Sequence, residues 1–248
     1  MIPLARAAAA FAAVVLFAAV PVRAQEPGAK GSEFERQLKE YLTDHPEAVQ
    51  EALDALAAKK AAAKAEQQEA AIKANAAALF SSPRQVTLGN RNGDVTLVEF
   101  FDYNCGYCKR ALADLVALMH GDPKLRVVLK EYPILGRGSV EAARVAVAVR
   151  MQDPGGAKYF EFHRKLLETR GRNDKATALA VAAEVGLDMA RLERDLASDE
   201  VTKSLAEAGR LGEALGINGT PGYVVGPAVI VGARGQQLLK EKIAAARG

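Results

Sequence analysis

Val95-Thr96-Leu97-Val98-Glu99-Phe100-Phe101, followed at once by Asp102-Tyr103-Asn104-Cys105-Gly106-Tyr107-Cys108, decides how this chain folds. The first seven residues are mostly apolar, rich in β-branched and aromatic types, and too short a run for a buried helix, so they read as a strand. Asn92-Gly93-Asp94 supplies the turn before it. Beyond Cys108, the residues Ala111, Leu112, Leu115, Leu118 and Met119 recur at helical spacing, and the helix closes near His120 and Gly121. The two cysteines therefore stand where a strand gives way to a helix. A second strand-like run covers residues 125–132. Two strands joined through one helix pair in parallel by a right-handed crossover.

That junction has a chemistry. The first turn of a helix offers unpaired N–H groups and the positive end of the dipole, which favour a thiolate over a thiol. Cys105 is thus the expected nucleophile, and Cys108, one turn further in, the resolving thiol that attacks a mixed disulfide. A fall in the Cys105 pKa from about 8.5 to about 5 favours the reduced form at pH 7 by roughly 2.7 kcal/mol, or about 60 mV for two electrons, and makes the pair an oxidant. The competing reading is a structural disulfide, but so small a loop is worth only about 2 kcal/mol. Glu99 interrupts an apolar strand and Lys130 ends the next one. Burial costs each of them unless they face one another, so a Glu99–Lys130 pair is expected beneath the cysteines, relaying the proton of Cys108. The alternative is that both point to solvent at strand ends.

Gly219-Thr220-Pro221 precedes a closing hairpin over residues 223–225 and 229–231. A proline there withholds a ladder donor unless its peptide bond is cis or the chain turns sharply. A cis Thr220-Pro221 bond is expected to present the Thr220 backbone beside Cys105, where an extended substrate can pair with it. An ordinary turn proline is the other reading. His45, His120 and His163 read as cap, helix-end and helix-face residues without a role.

Around this centre the 248 residues are 50% hydrophobic and 25% charged with a net charge of +3, which excludes disorder and gives no electrostatic case for nucleic acid. Two cysteines are too few for a disulfide scaffold or a thiolate zinc site, and with three scattered histidines no metal or cofactor is expected. At the start, Arg6 is followed by an apolar run over residues 7–20 and then Pro21-Val22-Arg23-Ala24. This reads as a secretory signal cleaved after Ala24, placing the protein in the periplasm; the run falls short of the roughly 20 residues a retained anchor needs. In residues 25–81, Ser32-Glu33-Phe34-Glu35 reads as a capping box, and Phe34, Leu38, Tyr41 and Leu42 share one helical face. A second helix restarts after Asp44 and Pro46 with Val49, Leu53 and Leu56, and continues to Leu79 and Phe80. So narrow a stripe cannot form a core alone; it packs on the main domain or on another copy of itself, giving a homo-oligomer, unless it is a solvated linker. Residues 139–214 read as helical with breaks at Asp153-Pro154-Gly155-Gly156, at 171–174, at Gly186 and at Ser198, and a last helix covers 236–246.

Val98 through Cys108 as quoted, Lys130-Glu131-Tyr132-Pro133-Ile134-Leu135-Gly136 and Gly216-Ile217-Asn218-Gly219-Thr220-Pro221 together resemble the DsbA family, over about residues 86–246. The resemblance implies an α/β thioredoxin fold whose halves, residues 82–138 and 216–248, are separated by an inserted helical domain over 139–215. The arm before it is similar to the N-terminal oligomerisation segment of ScsC-like members. By the same resemblance Cys105 and Cys108 form the active pair, Glu99 and Lys130 match the family's buried acidic and basic positions, and Pro221 is its cis-proline. Thr220, Gly106 and Tyr107 are expected to join Pro221 in contacting substrate. Gly222 after the proline and Gly226-Pro227 in the hairpin depart from the family pattern. The activity implied is that of an exported thiol-disulfide oxidoreductase, oxidising or isomerising disulfides in other exported proteins and served by a membrane redox partner. Thr220 and the arm favour isomerisation. A reading from another class is a non-enzymatic binder, either a holdase or a copper-sequestering dithiol, although four methionines and no histidine near Cys105 speak against copper.

Overall fold

The computed structural model describes residues 29–248, with side chains from residue 31 onward. The signal-like segment over residues 1–24 lies outside the described residues. Helix α1 (Ala29–Asp44) begins upstream of the expected capping box. Ala29 and Lys30 are good helix formers and carry the helix past Ser32, so Glu33 spends its carboxylate on Arg36 at 2.8 Å and Gln37 at 2.6 Å. Pro46 opens α2 (Pro46–Ala74), where its missing N–H costs nothing, and the short α3 (Ala76–Phe80) follows. The chain divides into two compact units, residues 1–57 and Ala58–Gly248, and the division falls inside α2. In the first unit Phe34, Leu38, Tyr41, Val49, Leu53 and Leu56 are exposed. In the second, Ile72 and Leu79 enter a core.

The second unit is built on a five-stranded sheet in the order β1-β3-β2-β4-β5. Its strands are β1 (Val86–Gly89), β2 (Val95–Phe101), β3 (Leu125–Glu131), β4 (Gly222–Val225) and β5 (Ala228–Val231). The pair β2 and β3 is parallel, as the sequence predicts, with Glu99 opposite Leu129 and Phe100 opposite Lys130; the other neighbours are antiparallel. Strand alternation sends Leu97, Glu99 and Phe101 to one face and Val98 and Phe100 to the other. The first face is covered by α4 (Gly106–Gly121), α10 (Gln236–Arg247) and helices from the stretch between β3 and β4. These are α5 (Arg137–Gln152), α6 (Ala157–Glu168), α7 (Lys175–Glu184) and α8 (Met189–Leu196). The second face takes α3 and α9 (Asp199–Ala214), joining Leu79 and Leu211 to Val98, Phe100, Val128 and Val224. Asp174, Asp188 and Ser198 cap α7, α8 and α9 with side-chain oxygens, which explains why the helical stretch breaks just before them.

Among the described residues, no helix is long and apolar enough to cross a membrane. Gly226 turns the β4–β5 hairpin at φ +54°, and a Cβ there would sit 3.0 Å from that of Ala246, so the unusual Gly226-Pro227 turn follows from backbone shape and close packing against α10.

Candidate redox site

Cys105 is the N-cap of α4, its own N–H tied back to the carbonyl of Asp102 at 3.0 Å. Its residue is 5% exposed and that of Cys108, one turn inside, 1%; both are free thiols. The Thr220-Pro221 bond is cis, and the Thr220 carbonyl oxygen lies 3.1 Å from the Cys105 sulfur. The two thiols are driven apart electrostatically. Hydrogen bonding from Cys108 is the largest influence on Cys105, with Thr220 and the N–H groups of Cys108 and Tyr107 adding to it, and the Cys105 pKa falls to about 5. Cys108 is pushed far above the ordinary thiol range, first by burial, then by Cys105 and by the charge of Glu99. One sulfur, near the surface, is a thiolate at neutral pH and its neighbour a more deeply buried, protonated thiol.

Glu99 lies on the cysteines' side of the sheet. Burial pushes its carboxyl up to about 8, Tyr223 pulls it down by a hydrogen bond, and the charge on Cys105 raises it again. Its Oε2 is buried without a hydrogen-bond partner. A carboxyl protonated at pH 7 and coupled to both sulfurs is suited to exchanging a proton with Cys108.

Lys130 is elsewhere, and the expected Glu99–Lys130 pair does not form. Because Lys130 lies opposite Phe100 in the parallel register, its side chain shares the second face with Val128. There it is buried and donates to the carbonyl of Ala78 at 2.5 Å and to Glu207 at 3.3 Å. Burial lowers its pKa, with Glu207 working against that. The adjacent Glu131, not Lys130, shares the face of Glu99, where it accepts the Tyr159 hydroxyl at 2.5 Å.

Further residues shape the loop, and sequence reasoning passed over them. Asp102 is buried and accepts the N–H groups of Asn104 at 2.8 Å, Ile134 at 2.8 Å and Leu135 at 2.9 Å, binding the cysteine loop to the segment after β3. Asn104 donates to Ser139 at 3.1 Å and to the carbonyl of Asn173 at 2.8 Å, and accepts the N–H of Asn173 at 2.7 Å. The Asn173 amide in turn reaches the carbonyl of Tyr103 at 2.9 Å. The signal for Asp102 was its polar type right after a buried strand; nothing local signals Asn173, whose partner is 69 residues away. His163, read as a helix-face residue, is buried beside the Tyr103 hydroxyl at 3.3 Å and is held neutral, its pKa lowered by burial to about 3.

On the outer side, Tyr107 is 59% exposed with the Arg110 guanidinium 4.4 Å over its ring, and Ile134, Leu135 and Val140 are exposed apolar side chains. A Cβ on Gly106 would meet nothing nearer than Arg110 at 3.9 Å, so the surface beside Cys105 is open. A Cβ on Gly222 would lie 2.5 Å from Ile217, so the missing side chain after the proline is a packing requirement.

A dithiol at a strand-to-helix junction, faced by a cis-proline loop on a mixed five-stranded sheet, defines a thioredoxin-fold redox domain. The family described as DSBA-like thioredoxin domain matches residues 96–244, and the chain belongs to it. Among solved structures, the chain is 45% identical to a thioredoxin-like oxidoreductase from Silicibacter pomeroyi DSS-3, covering 69% of this chain and 96% of that one at a TM-score of 0.65. It is 28% identical to the thiol-disulfide exchange protein alpha-DsbA2 from Wolbachia pipientis, covering 74% and 97% at a TM-score of 0.68. With Proteus mirabilis ScsC in a transitional conformation it shares 27% identity over 90% of this chain and 98% of that one, TM-score 0.65, a coverage that takes in helical residues before the sheet. A curated relative, the Na(+)/H(+) antiporter NhaA 1 of Salinispora arenicola, is 27% identical over 137 residues, 55% of this chain and 21% of that protein. The chain thus spans about a fifth of the length of the curated relatives it matches.

Proposed function

We propose that this chain is an exported thiol-disulfide oxidoreductase that works on cysteines of other exported proteins through Cys105 and Cys108. The observation that carries the proposal is the asymmetry of the pair: a sulfur of low pKa beside the Thr220 carbonyl, backed by a buried one of high pKa. In the oxidised form a substrate thiolate attacks the Cys105 sulfur, the Cys105–Cys108 bond breaks, and Cys108 leaves and takes the proton of Glu99. A second substrate thiolate then attacks the substrate sulfur of the mixed disulfide. Cys105 departs as a stable thiolate, the substrate has lost two electrons, and the enzyme has gained them. In isomerisation the Cys105 thiolate attacks a wrong substrate disulfide, and the substrate's own thiolate displaces it after rearrangement. Thr220, Pro221, Gly106 and Tyr107 form the surface on which an extended substrate lies, and a membrane redox partner resets the pair. Lys130 has no part in this chemistry.

Export rests on the signal-like residues 1–24, and isomerisation on the exposed apolar stripe of the arm, which favours a homo-oligomer. The deciding measurement is recovery of activity from scrambled ribonuclease, with Cys105→Ala as control and absorbance at 240 nm reporting the thiolate. Recovery that depends on Cys105, with a thiolate titrating near 5, supports the isomerase. Oxidation of reduced ribonuclease without recovery of the scrambled form leaves an oxidase. Activity indifferent to Cys105, or a thiolate pKa at or above about 8, overturns both.

A further inference from the structure

A cavity of about 390 Å³ opens beside the edge strand β1, between the α3–β1 loop and the turn from α5 to α6. It shares no residue with the redox site. Its wall carries three arginines, Arg91, Arg126 and Arg150. Arg150 is neutralised by Glu200 at 2.9 Å. Arg91 and Arg126 have no carboxylate partner among the described residues; their guanidinium groups are steered by neutral acceptors instead. Arg91 donates to the carbonyls of Pro154 at 2.7 Å and Gly155 at 3.3 Å, and Arg126 to that of Phe80 at 2.6 Å and more weakly to Thr96 at 3.4 Å. Asp153, the carboxylate of the lining, is occupied with the N–H of Tyr159 at 2.8 Å and forms no ion pair with either arginine.

The lining thus carries two guanidinium groups that form no ion pair among the described residues, beside one carboxylate, Asp153, that is turned to the Tyr159 N–H. Burial, and after it the charge of Arg91, pulls the Arg126 pKa below its usual value, the mark of a cation short of compensation. Two buried atoms of the lining residues, Gln85 Oε1 and Arg150 Nε, also lack a hydrogen-bond partner. We propose that this cavity binds a small oxyanion, the phosphate or carboxylate group of a small molecule, held between Arg91 and Arg126. Guanidinium forks match such groups in charge and geometry, and the volume is at the low end for small-molecule pockets, too little for a folded partner.

Calorimetric titration of the full chain with inorganic phosphate, and separately with citrate, in chloride buffer of matched ionic strength tests this. Saturable binding of one or both is expected, and Arg91→Gln and Arg126→Gln should each weaken it by about ten-fold or more while disulfide exchange is unchanged. Arg126→Gln also frees the Phe80 carbonyl and can cost stability. Arg91→Gln removes only exposed hydrogen bonds, to the carbonyls of Pro154 and Gly155, which water can replace, and keeps the test valid if the other variant fails to fold. The relative affinity of phosphate and citrate identifies the group the site prefers. No saturable binding of either anion at millimolar concentration, or binding unaltered by Arg91→Gln, overturns the proposal.

Discussion

Glu99 is an expensive residue to keep beneath a dithiol, since a buried carboxyl with an unpartnered oxygen costs stability whenever it ionises. Its native pKa of about 8 lies above the ordinary 4.5, so between those values the native state holds a proton that the unfolded chain has released. Stability contributed at this position is therefore full below about 4.5, falls as pH rises towards 8, and is level above it. Glu99→Gln removes that slope: relative to the parent, the variant should gain a few kcal/mol between these limits, read by urea unfolding of the reduced protein at several pH values. Parallel stability curves would mean that Glu99 titrates as an exposed carboxylate. Cys105, Cys108, Glu99 and Pro221 were legible in the sequence because each is marked by its neighbours: a strand end, a helix start, a charge in an apolar run, a proline before a hairpin. That Glu99 and Lys130 lie on opposite faces, and so do not pair as the sequence suggests, was not legible, because it depends on the register between two strands, and a shift of one residue changes the face of a side chain.

At the level of elements, three cationic side chains converge on the root of the arm. Lys130 donates to the carbonyl of Ala78, Arg126 to that of Phe80 and Arg150 to that of Pro83, the last at 2.6 Å. These carbonyls lie in and just beyond the last turn of α3, where helical partners run out and the dipole welcomes positive charge. Leu79, fully buried among them, fastens the same segment to the sheet. Leu79→Ala should cost about 2–5 kcal/mol in a denaturant titration, while the Cys105 thiolate still titrates near 5, since Leu79 packs on the opposite face. A shifted thiolate would show that α3 shapes the redox site. Periodicity made the strands and most helices readable, but it could not show that α2 begins in one compact unit and ends in the other. That depends on which partner covers Ile72 and Leu79, and the partners Val98, Phe100 and Leu211 are distant in sequence.

At the scale of the whole molecule, the stripe on α1 and the first turns of α2 leaves six large apolar side chains between 41% and 63% exposed. Full burial is worth about 1.5–3 kcal/mol per side chain, enough in sum to offset the cost of association if copies pack together. Light scattering on the chain from residue 25 onward should show an oligomer. Phe34→Lys combined with Leu53→Lys should bring it to a monomer, with scrambled-ribonuclease recovery reduced and the Cys105 thiolate unmoved. A parent chain that is monomeric at micromolar concentration removes the support for an isomerase. Cutting the chain at Ser81 is a poorer test, because it takes Ile72 and Leu79 out of the core. The placement of Glu99 and Lys130 on opposite faces of one sheet keeps two tasks apart. The sheet works as a bulkhead, with the proton traffic of the cysteines on one side and the moorings of the arm on the other. Changes confined to the Lys130 side can therefore alter how α3 is held while leaving untouched the groups that exchange electrons and protons around Cys105.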